Sequence, residues 1–384
     1  MKDGWKMVKF SEVAQVVGGS TPKTNVKSFW NGDNYWVTPA ELKGEKYINK
    51  TERTITDEAI SKTNLTLLPK GTVLLSSRAP IGKVCITNVP MFCNQGFKNI
   101  VCKDSLYNEF VYYYLLYSVP YLESLGTGAT FKEISKRVVE NVEIPLPPLE
   151  EQHRIVSILD ASFEKIDALK KNAEENLKNA KALFQQVLAQ ELKPKEGWVE
   201  KRLDEIATFY NGKAHEQCID ENGKYILVNS KYISSNTTVG KRTNSQLFPL
   251  YKDDIVMVMS DVPNGKALAK CLIIPTDDTH SLNQRICVFR NSKINVKLLY
   301  YLINRNPYLL SFNNGENQTN LRKNDILKMR LSYPTNEAEV EFVLNRLDEQ
   351  INLINELIKN KEQTIRECDA LKQSILRQAF SGEL

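Results

Sequence analysis

Histidine is scarce in this 384-residue chain: there are three, His153, His215 and His280, and none belongs to an HExxH pair or has paired cysteines nearby. Zinc chemistry needs clustered ligands, so each histidine reads as a surface or helix-end residue. Cysteine is also sparse, with seven at positions 85, 93, 102, 218, 271, 287 and 368, an odd total without a CxxC pair. Disulfide frameworks and metal sites need regular spacing, which leaves reduced, partly buried thiols. No GxxxxGK[ST] phosphate loop occurs, so ATP hydrolysis is not expected of this chain. An amino-methyltransferase would carry an Asn/Asp-Pro-Pro-aromatic tetrad and a Gly-rich cofactor turn, and neither is present. Carboxylate and lysine neighbours such as Glu41 and Lys43 arise too often by chance to mark a nuclease. No stretch approaches the roughly 20 apolar residues of a spanning helix, and residues 1–10 lack a signal peptide's apolar run. A cytoplasmic chain without a membrane partner is expected.

Hydrophobic residues make up 42% and charged residues 25%, the balance of a globular protein long enough for two domains. The net charge of +5 permits a polyanionic partner without requiring one. The organising feature is an internal repeat. Gly4-Trp5 and Phe10-Ser11-Glu12-Val13-Ala14 return as Gly197-Trp198 and Leu203-Asp204-Glu205-Ile206-Ala207, an offset of 193 (198 minus 5). Ser77-Arg78-Ala79-Pro80-Ile81-Gly82-Lys83 returns as Ser260-Asp261-Val262-Pro263-Asn264-Gly265-Lys266, each after an apolar run. Asn94-Gln95 matches Asn283-Gln284, and Tyr112 to Leu116 matches Leu299 to Ile303. The offset drifts as surface-loop insertions would make it.

Each repeat ends in a long helical pattern. In the first, the seam is read as Ile155, Leu159, Ser162, Ile166, Leu169, Ala173, Asn176, Ala180, Leu183 and Val187. The second runs through Leu347, Ile351, Ile354, Ile358, Lys361, Ile365, Cys368, Lys372, Ile375 and Ala379. Alternating steps of four and three place one stripe on one face, and two such stripes can bury each other as an antiparallel coiled coil. Pro145, Pro147 and Pro148 stop what precedes the first helix, and Glu150 and Glu151 suit its N-terminus. About 40 residues give a rod of roughly 60 Å. The competing reading packs each helix on its own domain. Boundaries follow: globular units at 1–147 and 194–335, and spacer helices at 148–193 and 336–384.

Runs such as Tyr35-Trp36-Val37, Thr72-Val73-Leu74-Leu75 and Tyr225-Ile226-Leu227-Val228 read as strands bounded by Gly and Pro turns. One tyrosine-rich helix per unit, around 108–118 and 296–304, is expected to pack on the sheet, which gives an α+β class with a pseudo-twofold repeat. The tyrosine stripe reads as core rather than as a base-stacking platform.

Distinct motifs follow one another along the chain: Val17-Gly18-Gly19-Ser20-Thr21-Pro22, Phe29-Trp30-Asn31-Gly32-Asp33, Trp36-Val37-Thr38-Pro39 and Leu75-Ser76-Ser77-Arg78-Ala79-Pro80-Ile81-Gly82. Asn94-Gln95-Gly96-Phe97, Ile144 to Gln152 and the closing Ala379-Phe380-Ser381-Gly382-Glu383-Leu384 complete the set, in order over nearly the whole chain. Together they resemble the specificity subunits of type I restriction-modification systems. The second half departs from the pattern: Asp261 stands where the first has Arg78, and Thr335-Asn336-Glu337-Ala338 replaces the Pro-Leu-Glu-Glu-Gln run. The resemblance implies two target recognition domains that read the two parts of a split double-stranded DNA sequence, separated by the two helices. It also implies two methyltransferase subunits docked on those helices, joined by restriction and translocase subunits. S-adenosylmethionine and ATP with Mg would then belong to the partners, with no cofactor and no metal on this chain. The competing function is a coiled-coil scaffold that binds proteins and never DNA.

Two such domains can contact grooves about one helical turn apart, roughly 34 to 36 Å. Base discrimination needs donors and acceptors at groove edges, Arg for guanine and Asn or Gln for adenine. Candidates in the first domain are Ser20, Thr21, Lys23, Arg78, Lys83, Gln95 and Lys98, and in the second Lys213, Lys231, Lys266, Gln284 and Arg285. Lysines mainly grip phosphates, which leaves Arg78, Gln95, Gln284 and Arg285 as the base readers. The structural alternative is that Asn94-Gln95 and Asn283-Gln284 cap turns, and that Gly82 and Gly265 only permit tight backbone geometry.

Overall fold

The structure, a computed structural model, describes residues 4–128, 132–261, 267–313 and 319–384. It separates into two compact units, Met1–Glu175 with Lys361–Leu384, and Asn176–Asn360. In the first unit the chain runs β1 (Lys6–Lys9), β2 (Ala14–Gly18), β3 (Trp30–Val37), β4 (Val73–Ser77), β5 (Ile81–Thr87), β6 (Lys98–Cys102), α1 (Asn108–Tyr117), β7 (Glu143–Leu146) and into α2 (Leu149–Glu191). A five-stranded sheet in the order β2, β6, β4, β5 and Tyr47–Ile48 forms its main layer. Every residue of β4 is buried. Successive side chains of a strand point to opposite faces. Thus Val73 and Leu75 enter the core shared with α1, while Leu74 enters a second core with Val37, Met91 and Phe97. β3 builds a smaller sheet with Thr54–Ile55 and Phe92–Cys93, and β1 closes against β7.

The tyrosine-rich helix α1 is core, as Phe110, Val111, Tyr112, Tyr113, Tyr114 and Leu115 are all buried. Its phenols are satisfied inside: Tyr113 donates to Asp160 of α2 at 2.5 Å and Tyr114 to the Glu143 carbonyl at 2.5 Å. Burial, reinforced by the Asp160 carboxylate, pushes the Tyr113 phenol far above its ordinary range, so it stays a donor. The Lys46 ammonium joins Glu109 and Asp160, at 2.5 Å from each.

The second unit contains β8 (Val199–Arg202), β9 (Thr208–Asn211), β10 (Tyr225–Val228), β11 (Ile255–Val258), β12 (Ser260–Asp261), β13 (Cys271–Ile273), β14 (His280–Leu282), β15 (Ile286–Arg290), α3 (Val296–Ile303), β16 (Arg330–Tyr333) and part of α4 (Glu337–Ser381). The sheet order β9, β15, β11, β13 repeats β2, β6, β4, β5 of the first unit, and β8 pairs with β16 as β1 does with β7. Tyr301 donates to Asp348 of α4 at 3.0 Å, and Lys297 pairs with the same carboxylate. Tyr113 with Asp160 and Tyr301 with Asp348 share one offset, 188 residues (301 minus 113, 348 minus 160). The sequence match that set Tyr112 against Leu299 is therefore one residue out of phase. Tyr112 corresponds to Tyr300, and each leads an edge-on pair with the next tyrosine, at 5.1 and 5.3 Å.

Both long helices contribute to both units, and within each unit their segments run antiparallel. In the first, Arg154 donates to the Leu384 carbonyl at 2.7 Å, Asp167 pairs with Lys372, and Lys170 with Asp369 at 2.6 Å. Phe380 lies 5.2 Å from both Phe110 and Tyr114, which fixes the end of α4 in the first core. In the second, Leu188 shares a core with Val343, Leu344, Leu347 and Ile351, and Arg346 pairs with Glu191 at 2.8 Å. The seam read for α4 holds, with Leu347, Ile351, Ile354, Cys368 and Ala379 buried. That of α2 holds for Ile155, Leu159, Ile166, Ala173, Ala180 and Val187, with Ser162 half-buried, but not for Leu169, Asn176 and Leu183. Leu169 is 53% and Leu183 43% exposed, and the inward row is Phe163, Lys170, Leu177 and Phe184. Phe163, four residues after Leu159, packs against the first core beside a half-buried Ser162, and Lys170 covers the stripe with its stem while its head reaches Asp369.

Two of the three histidines depart from expectation. His153 is exposed, but His215 and His280 are buried. His215 bridges the Lys213 carbonyl at 2.7 Å and the Ser281 hydroxyl at 2.8 Å, and His280 meets Thr279 at 2.7 Å and Tyr232 at 3.2 Å. A ring whose two nitrogens both find partners can be buried at little cost. The seven cysteines are all free, and burial pushes Cys93 and Cys102 up to about 12.

Gln152 explains the Pro-Leu-Glu-Glu-Gln run. Its fully buried amide accepts from Tyr107 N at 2.8 Å and donates to the carbonyls of Ser105 at 3.0 Å and Pro147 at 2.9 Å. In the second unit Val340 stands 188 residues on, in a groove with Lys293, Asn295, Pro334 and Thr335, and its aliphatic side chain has no group with which to make such a latch. Gln152→Leu strands those three backbone groups and should destabilise the first unit by about 1 to 3 kcal/mol; an unchanged denaturation midpoint would remove the latch. Burial holds His280 below its ordinary 6.5. The fold thus favours the neutral ring, its contribution is complete above that value, and it is lost as pH falls beneath it. Melting followed from about pH 7.5 to about pH 5.5 should show the loss, with a flatter dependence in His280→Gln; identical slopes would contradict it.

Candidate nucleic-acid interface

Three segments converge at the sheet edge of the first unit. β2 ends at Gly18 and the chain passes under the Cys93–Asn94 peptide, so that a Cβ on Gly19 would lie 2.1 Å from the Asn94 carbonyl oxygen. Ser20 N then donates to the Cys93 carbonyl, and Asn94 N to the Val37 carbonyl at the end of β3. The crossing makes Thr21 and Gln95 neighbours, and the Thr21 hydroxyl donates to the Gln95 side-chain carbonyl. Asn94 spends its side chain on Gly96 N at 2.9 Å, the turn-capping role foreseen for it.

The crossing recurs in the second unit. A Cβ on Gly212 would lie 2.2 Å from the Asn283 carbonyl oxygen, Lys213 N donates to the Leu282 carbonyl, and Asn283 N donates to the Val228 carbonyl at the end of β10. Gln284 donates to Glu216 at 2.9 Å, in the place of the Thr21 and Gln95 pair. Beneath the loop, His215 fixes the Lys213 carbonyl; a carbonyl only accepts, so Nδ1 carries the proton.

The predicted residues gather around these crossings with differing freedom. Ser20 and Thr21 are half-buried, and Gln95 and Lys23 exposed. Arg78 lies 4.0 Å from Glu133, a carboxylate that Lys98 also meets at 3.3 Å. The Lys98 ammonium further donates to the Ser77 hydroxyl at 3.2 Å, and that of Lys83 to the Pro39 carbonyl at 2.9 Å. Both lysines therefore brace the loops, whereas a half-exposed pair such as Arg78 with Glu133 is worth only about 0 to 1 kcal/mol and leaves the guanidinium available to a phosphate or base. Lys213, Gln284 and Arg285 are exposed at the second crossing. Lys231 is exposed on the short helix Ser230–Ser234, which Asn229 caps right after Val228. Lys266 lies outside the described residues. Asp261, the counterpart of Arg78, turns inward and accepts from Ala267 N at 2.7 Å and Leu268 N at 3.1 Å.

Sequence reasoning missed Arg53. Its guanidinium carbon lies 3.7 Å from the Trp30 ring centroid and 5.1 Å from that of Trp36. The two tryptophans stood within quoted motifs, but no spacing rule links them to an arginine about twenty residues on. Glu133 and Glu216, which hold the loop cation and amide, were likewise unsignalled. Among the described residues no group of three His, Cys, Asp or Glu side chains could hold a metal ion, and no helix is long and apolar enough to cross a membrane.

A family profile described as the type I restriction modification DNA specificity domain matches residues 2–179 and again 195–367. The type I restriction enzyme MjaIX specificity subunit of Methanocaldococcus jannaschii is 30% identical over 99% of this chain and 93% of its own length. The EcoR124I/EcoR124II specificity subunit of Escherichia coli is 29% identical over 45% of this chain and 43% of its own. Among solved structures, a chain from a study of complex assembly and conformational transition in the type I restriction-modification system superposes with a TM-score of 0.77 at 18% identity, covering 100% of this chain and 99% of that one. That likeness bears on the fold.

Gly19→Ala should force the Asn94 peptide aside and destabilise the first unit by about 1 to 3 kcal/mol. Gly18→Ala, with nothing within 4 Å of its Cβ, should change nothing. Equal melting temperatures for the two variants would show that the crossing does not constrain the loop.

Proposed function

The chain belongs to the family of type I restriction-modification DNA specificity subunits, and from that premise we propose how its parts divide the work. Each unit reads one part of a split double-stranded DNA sequence through the loops at its crossing. Arg78, Gln95, Gln284 and Arg285 present hydrogen-bonding groups to base edges. Lys23, Lys213 and Lys231 neutralise phosphates, which raises affinity without choosing sequence; Lys266 is assigned the same role from its place in the repeat. Ser20 and Thr21 present hydroxyls beside Gln95.

The observation that carries this reading is that one backbone crossing recurs in both units while the side chains mounted on it differ: Thr21 with Gln95 in one, Glu216 with Gln284 in the other. A repeated scaffold with unlike contact groups suits a reader of two unlike half-sites. Two methyltransferase subunits dock on the long helices, and restriction and translocase subunits join them. S-adenosylmethionine, ATP and Mg act on those partners, and this chain contributes no catalytic group. The complex works in the cytoplasm.

Mapping of methylated sites across the genome, in cells with and without this gene, tests the proposal. The expected result is one bipartite motif, methylated in the parent and unmethylated in the deletion. An unchanged methylation pattern would contradict a DNA-reading role.

A further inference from the structure

Arg53 is exposed, yet its position is closely defined. Its carbonyl accepts from Trp36 N at 3.2 Å and from the Thr51 hydroxyl at 2.6 Å, which anchors the backbone to β3. Its guanidinium lies over Trp30 at 3.7 Å, and Trp30 is itself held edge-on to the buried Trp36 at 5.0 Å and 82°. Both indoles are tied to the candidate loop: Trp36 Nε1 donates to the Ser20 carbonyl at 3.1 Å and Trp30 Nε1 to the Lys23 carbonyl at 3.3 Å. Among the described residues Arg53 has no carboxylate partner, in contrast to Arg78, which faces Glu133. The stack thus holds an uncompensated planar cation beside Ser20 and Lys23.

We infer that Arg53 is a specificity-determining residue of the first unit, a guanidinium pre-set by Trp30 to donate in bidentate fashion to O6 and N7 of one guanine in the half-site that this unit reads. The inference deepens the proposed DNA-reading role and rests on it. A guanidinium stacked on an indole keeps its donor edge free, and that planar fork matches the two acceptors of guanine in the major groove. A flexible lysine such as Lys23 serves for a phosphate. Lysine at position 53 would preserve the charge and lose the fork, which separates base reading from simple attraction to the backbone.

The test selects binding sites from a random duplex library with the chain assembled on its methyltransferase subunits, comparing the wild type with Arg53→Lys and Arg53→Ala. The wild type should return a split motif. Both variants should return the same motif except that one guanine in one half is relaxed, with discrimination there falling about ten- to hundredfold and the other half unaffected. Trp30→Leu should relax the same position by freeing the side chain. Two results overturn the inference: an unaltered motif in both variants, or, for Arg53→Ala, uniform weakening on every duplex with the motif intact and rescue by lysine, which marks a phosphate contact. If the wild-type complex selects no motif, the DNA-reading role itself fails, and that outcome is visible before any variant is compared.

Discussion

A peptide carbonyl pressed against a glycine organises the candidate edge of each unit. At Gly19 and again at Gly212 the chain leaves its strand so close to an asparagine carbonyl that a single methyl would collide with backbone. Backbone cannot rotate away as a side chain can, so only glycine permits the crossing. Once it forms, the two loops are held side by side, and the residues next in sequence become partners: Thr21 with Gln95, Glu216 with Gln284. The contact groups are thereby fixed by main-chain geometry, which leaves their identities free to vary.

A second repeated device holds each unit to its long helix. A buried tyrosine donates to an aspartate on the helix, Tyr113 to Asp160 and Tyr301 to Asp348, and a lysine completes each carboxylate's partners. A hydrogen bond to a charged group contributes about 1.5 to 3 kcal/mol, more than a typical neutral one. The aromatic core adds to this in the first unit, where Phe380 packs against Phe110 and Tyr114. The halves differ where the second unit lacks the Gln152 latch and carries Val340 beside an open groove. They differ again where Asp261 turns inward to bind amides in place of an outward Arg78. These asymmetries coincide with the places where the second half departs from the sequence pattern of the first.

The architecture was legible because periodicity and repetition are properties of the sequence itself. Apolar runs became strands, the tyrosine stripe became core, and the α4 seam fell where its spacing placed it. The later part of the α2 seam was misplaced because Leu169, Asn176 and Leu183 fitted a seven-residue rhythm, although the neighbouring Lys170, Leu177 and Phe184 are the ones that turn inward. The buried histidines escaped notice because their partners, Ser281, Tyr232 and Thr279, lie far off in sequence or carry no distinctive signal. Arg53 escaped for the same reason, since a cation and an aromatic ring meet through tertiary structure alone. Gly19 and Gly212 were visible as residues, but the peptides they pass beneath were not.

The most direct measurement is a structure of this chain with its methyltransferase partners on a duplex drawn from the selected library. The account predicts DNA against the Ser20–Thr21–Gln95 edge of the first unit and the Lys213–Gln284–Arg285 edge of the second, with base edges within hydrogen-bond reach at both. DNA bound elsewhere on either unit, with its crossing left facing solvent, would contradict it.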